Sequence, residues 1–508
     1  SLRALIFALC ARSPSYISKC LISSDTQSML EILEVFGARH EVCHGLLRIY
    51  PPLQPLWEQT NPIVVNCRNS GIAWRFIAAI CAIRAGVSVL HGDASLHKLR
   101  PLRPLQRVLD TLGVWNTRLG EKDSFLGEGP LVIKGISGEI DRDLLGGGIS
   151  EFSELSGLQL EMSGEDSQPV SAVMLLLALL LDTRESSAFA QIHIQKASEL
   201  PWLALSCDWF NFVGIASSLS DDLFPYQGRG HEPKAQGSSS TAVIEMKATR
   251  GKRALSSWEG FEVTIPVDMS SAAFLLAAAM VTKSKITLVG ISLRSAGLTL
   301  ESEGEGANSG ALRDVQGDRI LFSIVQRAGV IFYEDTVGLV VDARKGYAPL
   351  GEVNLAGAID LVPVIAVIAS FADRDKQSPG CVSTCLVGIE GARLKECDRV
   401  NAVHSELTRG SVQVLLYQSN HMSVLEIFPS KACQQPACHD SYADHRMAMA
   451  MAIRALGTGG TIVNTQCSDK TFPGFITALQ SLGIAAIDST ASDVTGGDRV
   501  VTEEGGVK

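Results

Sequence analysis

One device recurs six times along the chain. A short polar or charged segment leads into an apolar, helix-forming run, and a later amphipathic segment closes on glycine. The starts are Ser1-Leu2-Arg3 before ALIFALCA, Asn69-Ser70-Gly71 before IAWRFIAAICA and Asp166-Ser167-Gln168 before PVSAVMLLLALL. The other three are Asp268 to Ser271 before AAFLLAAAM, Ile359-Asp360 before LVPVIAVIASFA, and Asp440 to Arg446 before MAMAMAIRAL. The closing residues are Gly37, Gly113, Gly214, Gly329, Gly410 and Gly483. A polar residue before an apolar run marks a helix start, and glycine just past an amphipathic segment marks a helix end. Six such pairs make an internal repeat, which limits the fold before any single motif is weighed. Because the first turn of a helix leaves N–H groups unpaired and carries partial positive charge, six polar starts suit an anionic ligand.

Between the helical segments lie short β-branched runs such as Ile63-Val64-Val65, Leu131-Val132-Ile133 and Ile286 to Val289. This alternation predicts an α/β fold, or α+β with mixed sheets. Three repeats fall in residues 1–262 and three in 263–508, so two similar domains with a ligand cleft between them are expected. Polar stretches at 216–258, 300–318, 373–382 and 429–440 interrupt the pattern. They include Gly237 to Ser240 and the acidic, Gly-rich Glu301 to Gly310, and they read as surface loops without chemistry.

The net charge of −10, with no basic run, argues against a nucleic-acid partner. The 12 cysteines form no CxxC pairs and have no histidines at metal spacing, which fits a reducing, cytoplasmic setting and no metal. The longest apolar run, Val170 to Leu181, is too short to span a bilayer. The chain starts without Met and partway through a repeat, so it reads as a piece of a larger polypeptide.

Charged residues gather at a few helix starts. Arg446 falls in the first turn of the sixth start, where a guanidinium can grip a phosphate or carboxylate; the plain alternative is a surface arginine behind an N-cap. In GIEGARLKECDRVNAVHSELTRG, Lys395 and Arg399 fall at i and i+4 with Glu396 between, so they are expected on one helical face. Asp360 precedes the fifth apolar run, and Lys470 lies in the loop Asp469 to Pro473 that leads into the last helix. Two acids among several cations suit proton transfer on a doubly anionic substrate.

The segments Asp444-His445-Arg446-Met447-Ala448-Met449, Lys470-Thr471-Phe472-Pro473 and Arg393 to Arg399 resemble the motifs of the 5-enolpyruvylshikimate-3-phosphate synthase family. So do Asn69 to Phe76, Arg103 to Gly113, Asp166-Ser167-Gln168 and Asp268 to Ala277, in order over nearly the whole chain. The resemblance implies a two-domain enolpyruvyl transferase fold, each domain built from three βαβαββ units around the cleft. It implies transfer of the enolpyruvyl group of phosphoenolpyruvate to shikimate 3-phosphate, releasing phosphate, with small-molecule substrates and no cofactor or metal. Gly71, Arg103, Gln168, Arg399, Arg446 and Lys470 match the phosphoenolpyruvate contacts, with Arg100 a second candidate beside Arg103. Asp360 and Glu396 match the acids that move protons. Arg3, Ser167, Ser198, Trp202, Asp360 and Lys395 match acceptor contacts.

The chain departs from the family pattern mainly on the acceptor side. Asp166 stands where a serine contacts the acceptor's phosphate, Trp202 replaces a tyrosine, and Gly391 replaces an asparagine. Ile72 and Phe76 replace a threonine and a proline beside Gly71. The family's N-terminal GSKS segment does not occur in the sequence. Two alternatives therefore stay open: a diverged paralogue with a different acceptor, and a catalytically inactive relative. Asp166 itself has two readings, a carboxylate that repels an acceptor phosphate or a cap turned onto the following helix.

Overall fold

The computed structural model describes residues 1–100, 102–119, 129–135, 157–180, 189–221, 241–247, 258–298, 317–376, 382–419, 422–429, 435–484, 486–488 and 499–501. Gly237 to Ser240 and Glu301 to Gly310, read above as loops, lie outside these residues.

Each of the six polar starts opens a helix: Leu2–Leu9, Gly71–Ile83, Ser167–Leu180, Met269–Val281, Val362–Ser370 and His445–Thr458. Each closing segment forms a second one: Ser24–Val35, Arg103–Thr111, Leu200–Phe212, Ile320–Arg327, Arg399–Arg409 and Phe475–Ser481. The closing glycines 37, 113, 214, 329 and 483 have φ between 75° and 106°, the left-handed conformation that lacks a Cβ penalty. Gly410 differs. Its φ is −82°, and Ser411 takes the left-handed place at φ 62°. Glycine is required at 410 for another reason: a Cβ there would lie 2.0 Å from Nη2 of the buried Arg454, which donates to the Gly410 carbonyl at 2.7 Å.

Among the described residues the strands form six sheets, one per repeat. In the second, Ile63–Asn66 pairs parallel with Val87–His91, and Leu131–Lys134 runs antiparallel between Val87–His91 and Trp115–Arg118. The third, fifth and sixth repeat this pattern. A parallel pair joined through a helix, followed by a hairpin, is the βαβαββ order. The fourth sheet has three strands among the described residues. The first sheet takes its parallel strand from Glu262–Thr264, which pairs with Ser15–Ser18. Those residues therefore belong to the first half, and the chain changes halves between Pro266 and Val267, not at 262.

Each half has its own apolar core. The opening helices are buried over most of their residues, and such helices pack at the centre rather than the surface. Gly71–Ile83 packs on Ser167–Leu180; in the second half, Met269–Val281, Val362–Ser370 and His445–Thr458 pack on one another. No helix among the described residues is long and apolar enough to cross a membrane.

Two of the stretches read as loops contribute to the fold instead. Residues 216–221 and 241–247 are paired strands of the third sheet, and Ala437–Asp440 is a strand of the sixth. Trp258 is buried, with its indole N–H donating to the Phe7 carbonyl.

Candidate active site

Mutual packing of three opening helices brings their polar starts together in the second half. Asp268 caps the first, accepting from the Ser270 N–H at 3.0 Å. Asp360 sits in a short 3-10 turn, Ile359–Leu361, leading into the second. Asp444 caps the third, accepting from the N–H groups of Arg446 and Met447 at 2.8 and 3.4 Å. These caps satisfy first-turn donors and fix the direction in which each chain enters its helix.

Arg399 is the centre of this cluster. It is 1% exposed, and its guanidinium donates to three acids: Asp444 from Nε at 2.7 Å, Glu396 from Nη2 at 2.8 Å, and Asp360 from Nη1. Arg446 pairs with Asp360 at 3.0 Å and with Asp318 at 3.4 Å. It is buried, which removes the surface reading. Lys470 donates to Glu396 at 3.0 Å. Lys395 is also buried and acts electrostatically on Asp360. It does not share a helical face with Arg399. A 3-10 segment, Glu390–Leu394, ends before it, and Asp398 starts a new helix at Arg399 by capping the Asn401 N–H at 3.0 Å.

The charges shape one another. Burial pushes the Asp360 carboxyl up, but Arg446, Lys395 and Arg399 outweigh it and hold the group far below the usual carboxylate range. For Asp318, burial wins despite Arg446, and its pKa rises to about 6. Its Oδ2 accepts from the Ser270 hydroxyl. Burial lowers the pKa of His445 to about 3, so the imidazole is neutral. Glu396, Asp444 and His445 bring possible ligand atoms within 4.8 Å of one another, a grouping a metal ion could use. Here the two carboxylates are engaged by Arg399 and Lys470.

The first half gathers a second group at the starts of its packed helices. Arg75, fully buried, pairs with Asp166 at 2.8 Å and donates to Gln168 Oε1 at 2.6 Å. Asp166 also accepts from the Gln168 N–H at 3.0 Å. Asp166 thus follows the capping reading, and the buried Arg75 pairs with its carboxylate as well. Gly71 adjoins this pair, since a Cβ there would lie 3.0 Å from Arg75 Nη1 and 3.1 Å from Gln168 Oε1. The Cδ of Arg100 would lie 3.7 Å from the same Cβ, whereas Arg103 is exposed at the start of its own helix. Of the two arginine candidates, the second is therefore the one beside Gly71.

Among the acceptor candidates, Arg3 donates to the Ser206 hydroxyl and to the Trp202 carbonyl. The Ser198 hydroxyl donates to the carbonyls of Gly164 and Glu165, each at 3.0 Å. Glu199 accepts from the N–H and hydroxyl of Ser167 at 3.2 and 3.1 Å.

Sequence reasoning gave no role to Asp318, Asp444, Arg75 or Glu199. Asp444 and Arg75 lie inside quoted motifs, and each carried a signal: an acid at an N-cap, and an arginine one turn after Gly71. Asp318 fell in a stretch read as free of chemistry, although Gly317-Asp318 immediately precedes an amphipathic helix.

A family model described as EPSP synthase (3-phosphoshikimate 1-carboxyvinyltransferase) matches residues 1–135 and 244–479. The chain is 28% identical over 489 residues to the 3-phosphoshikimate 1-carboxyvinyltransferase of Chlamydia trachomatis serovar L2, covering 95% of this chain and 90% of that protein. It is 29% identical to the Chlamydia muridarum protein of the same name, with the same coverage. Among solved structures, EPSP synthase from Acinetobacter baumannii superposes with a TM-score of 0.59 at 18% identity, covering 94% of this chain and 92% of that one. The enolpyruvyl transferase NikO from Streptomyces tendae gives 0.59 at 15% identity, covering 95% and 92%.

Proposed function

The chain belongs to the EPSP synthase family, and from that premise we propose how its own side chains serve the family's reaction. It is a 3-phosphoshikimate 1-carboxyvinyltransferase of the shikimate pathway, moving the enolpyruvyl group of phosphoenolpyruvate to shikimate 3-phosphate. The acceptor hydroxyl adds to C2 of phosphoenolpyruvate as C3 gains a proton. The tetrahedral adduct then loses that proton and phosphate, leaving a carboxyvinyl ether.

The observation that carries the residue roles is the convergence of Asp360 and Glu396 on Arg399, Arg446 and Lys470. Arg399, Arg446 and Lys470 bind the carboxylate and phosphate of phosphoenolpyruvate and stabilise the phosphate as it departs. Arg446 and Arg399 hold Asp360 ionised, so it can accept the acceptor hydroxyl's proton. When substrate anions draw these cations away, Asp360 becomes more basic, which couples binding to proton acceptance. Glu396, held by Lys470 and Arg399, delivers and removes the proton at C3. Lys395 orients the acceptor beside Asp360. In the first half, Gln168 and Arg100, flanking Gly71, contribute to the phosphoenolpyruvate site, with Arg103 the weaker candidate. Ser167, Ser198, Arg3 and Trp202 contribute to the acceptor site. The free thiols among the described cysteines favour a reducing compartment.

The test is phosphate release from phosphoenolpyruvate with shikimate 3-phosphate as acceptor. Release that depends on both substrates, and is lost in Asp360→Asn and Glu396→Gln while both variants stay folded, supports these roles. Full activity in either variant would remove that residue from the proton-transfer scheme.

A further inference from the structure

Glu199 is a buried carboxylate placed in an unusual way. It is 3% exposed, and its backbone is left-handed at φ 52° and ψ 33°, a conformation that non-glycine residues adopt only at some cost. One of its oxygens takes both first-turn donors of Ser167, the N–H and the hydroxyl, at the start of the helix Ser167–Leu180. The next N–H, that of Gln168, is taken by Asp166, which is itself paired with the buried Arg75. Arg3 feels the charge of Glu199, which opposes the effect of burial on that guanidinium. Two carboxylates of the chain therefore occupy the donors of a helix start that otherwise favours an external anion.

We propose that Glu199 is a specificity-determining residue: an internal anion that competes with the phosphate of the acceptor for Ser167 and the helix start. The inference rests on the assignment of Ser167 to the acceptor site. An acceptor phosphate entering there displaces the carboxylate from Ser167 or lies beside it as a like charge. Either way, affinity for a phosphorylated acceptor is set lower than the same donors would give alone. An acceptor that lacks the phosphate does not meet this competition. The effect is thus confined to discrimination between phosphorylated and unphosphorylated acceptors, and the phosphoenolpyruvate contacts do not share it.

The variant Glu199→Gln keeps a carbonyl oxygen for Ser167 and removes the charge. Calorimetric titration of the full chain with shikimate 3-phosphate and with shikimate, for the native protein and the variant, measures the discrimination directly. The expected result is a gain of about tenfold or more in the preference for shikimate 3-phosphate, with phosphoenolpyruvate affinity unchanged. Glu199→Ala, tested for an unchanged melting temperature, gives the same direction if charge is the cause. An unchanged or reduced preference in Glu199→Gln overturns the proposal, since a purely structural role for Glu199 would shift both acceptors alike. Phosphate release by the native protein is measured alongside. Its absence counts against the acceptor assignment, while the binding ratio still decides the role of Glu199.

Discussion

Replacing Asp318 by Asn should make the second half less sensitive to pH. Asp318 is fully buried, and its carboxyl is pushed from an ordinary 3.8 to about 6 because burial outweighs the nearby Arg446. A tenfold change in proton affinity is worth about 1.4 kcal/mol, so ionised Asp318 costs on the order of 3 kcal/mol at neutral pH. The sign follows from proton counting. Between pH 3.8 and 6 the folded chain holds a proton that the unfolded chain has lost. Stability from this group therefore falls as pH rises through that window and is level above it. Asn does not titrate. Its buried amide brings its own cost, about 1–3 kcal/mol if one N–H goes unpaired, but that cost is the same at every pH. The stability of the variant relative to the native chain should rise by about 2 kcal/mol between pH 4.5 and pH 7.5, most of the 3 kcal/mol at stake. All six tryptophans, Trp57 to Trp258, lie in the first half, so indole fluorescence does not report this change. Urea unfolding followed by far-UV circular dichroism does. A variant-minus-native difference that is equal at the two pH values would refute the argument that burial controls this carboxyl.

Three further outcomes follow from single contacts. Arg446→Ala should weaken phosphoenolpyruvate binding by about 2–5 kcal/mol, the range for truncating one partner of a buried charge pair; calorimetry with unchanged affinity would remove Arg446 from that site. Asp166→Ser keeps a capping oxygen but leaves the Arg75 guanidinium buried without its carboxylate, so stability should fall by about 3 kcal/mol, read as a lower melting temperature of the first half. Gly410→Ala places a methyl 2.0 Å from Arg454 Nη2 and should destabilise the second half by about 1–3 kcal/mol, the usual cost of overpacking; an unchanged urea midpoint would show that Arg454 has room to move.

What the sequence revealed, and what it hid, divides by the range of the interactions. Helix starts and ends are local: a few residues decide whether first-turn donors find a cap and whether a left-handed residue can follow the last turn. All six pairs of helices were therefore legible, and the alternation between them announced mixed α/β structure. Gly410 shows the limit of that logic. Its glycine looked like one more helix end, yet it is needed because Arg454, from a different helix, occupies the space beside it. Lys395 and Arg399 had the right spacing for one face, but Asp398 caps a helix between them, so sequence distance misjudged their geometry. The larger omissions are charges whose meaning depends on a distant partner. Asp318 matters because Arg446, 128 positions away, shares its guanidinium between it and Asp360. Asp166 could be read as repulsive only while Arg75, 91 positions earlier, was not known to touch it. Neither pairing leaves a periodic trace, because a buried ion pair needs only one position on each element. Local rules thus located the helix starts, while the protonation and net charge at those starts were set by contacts that only the folded chain brings together.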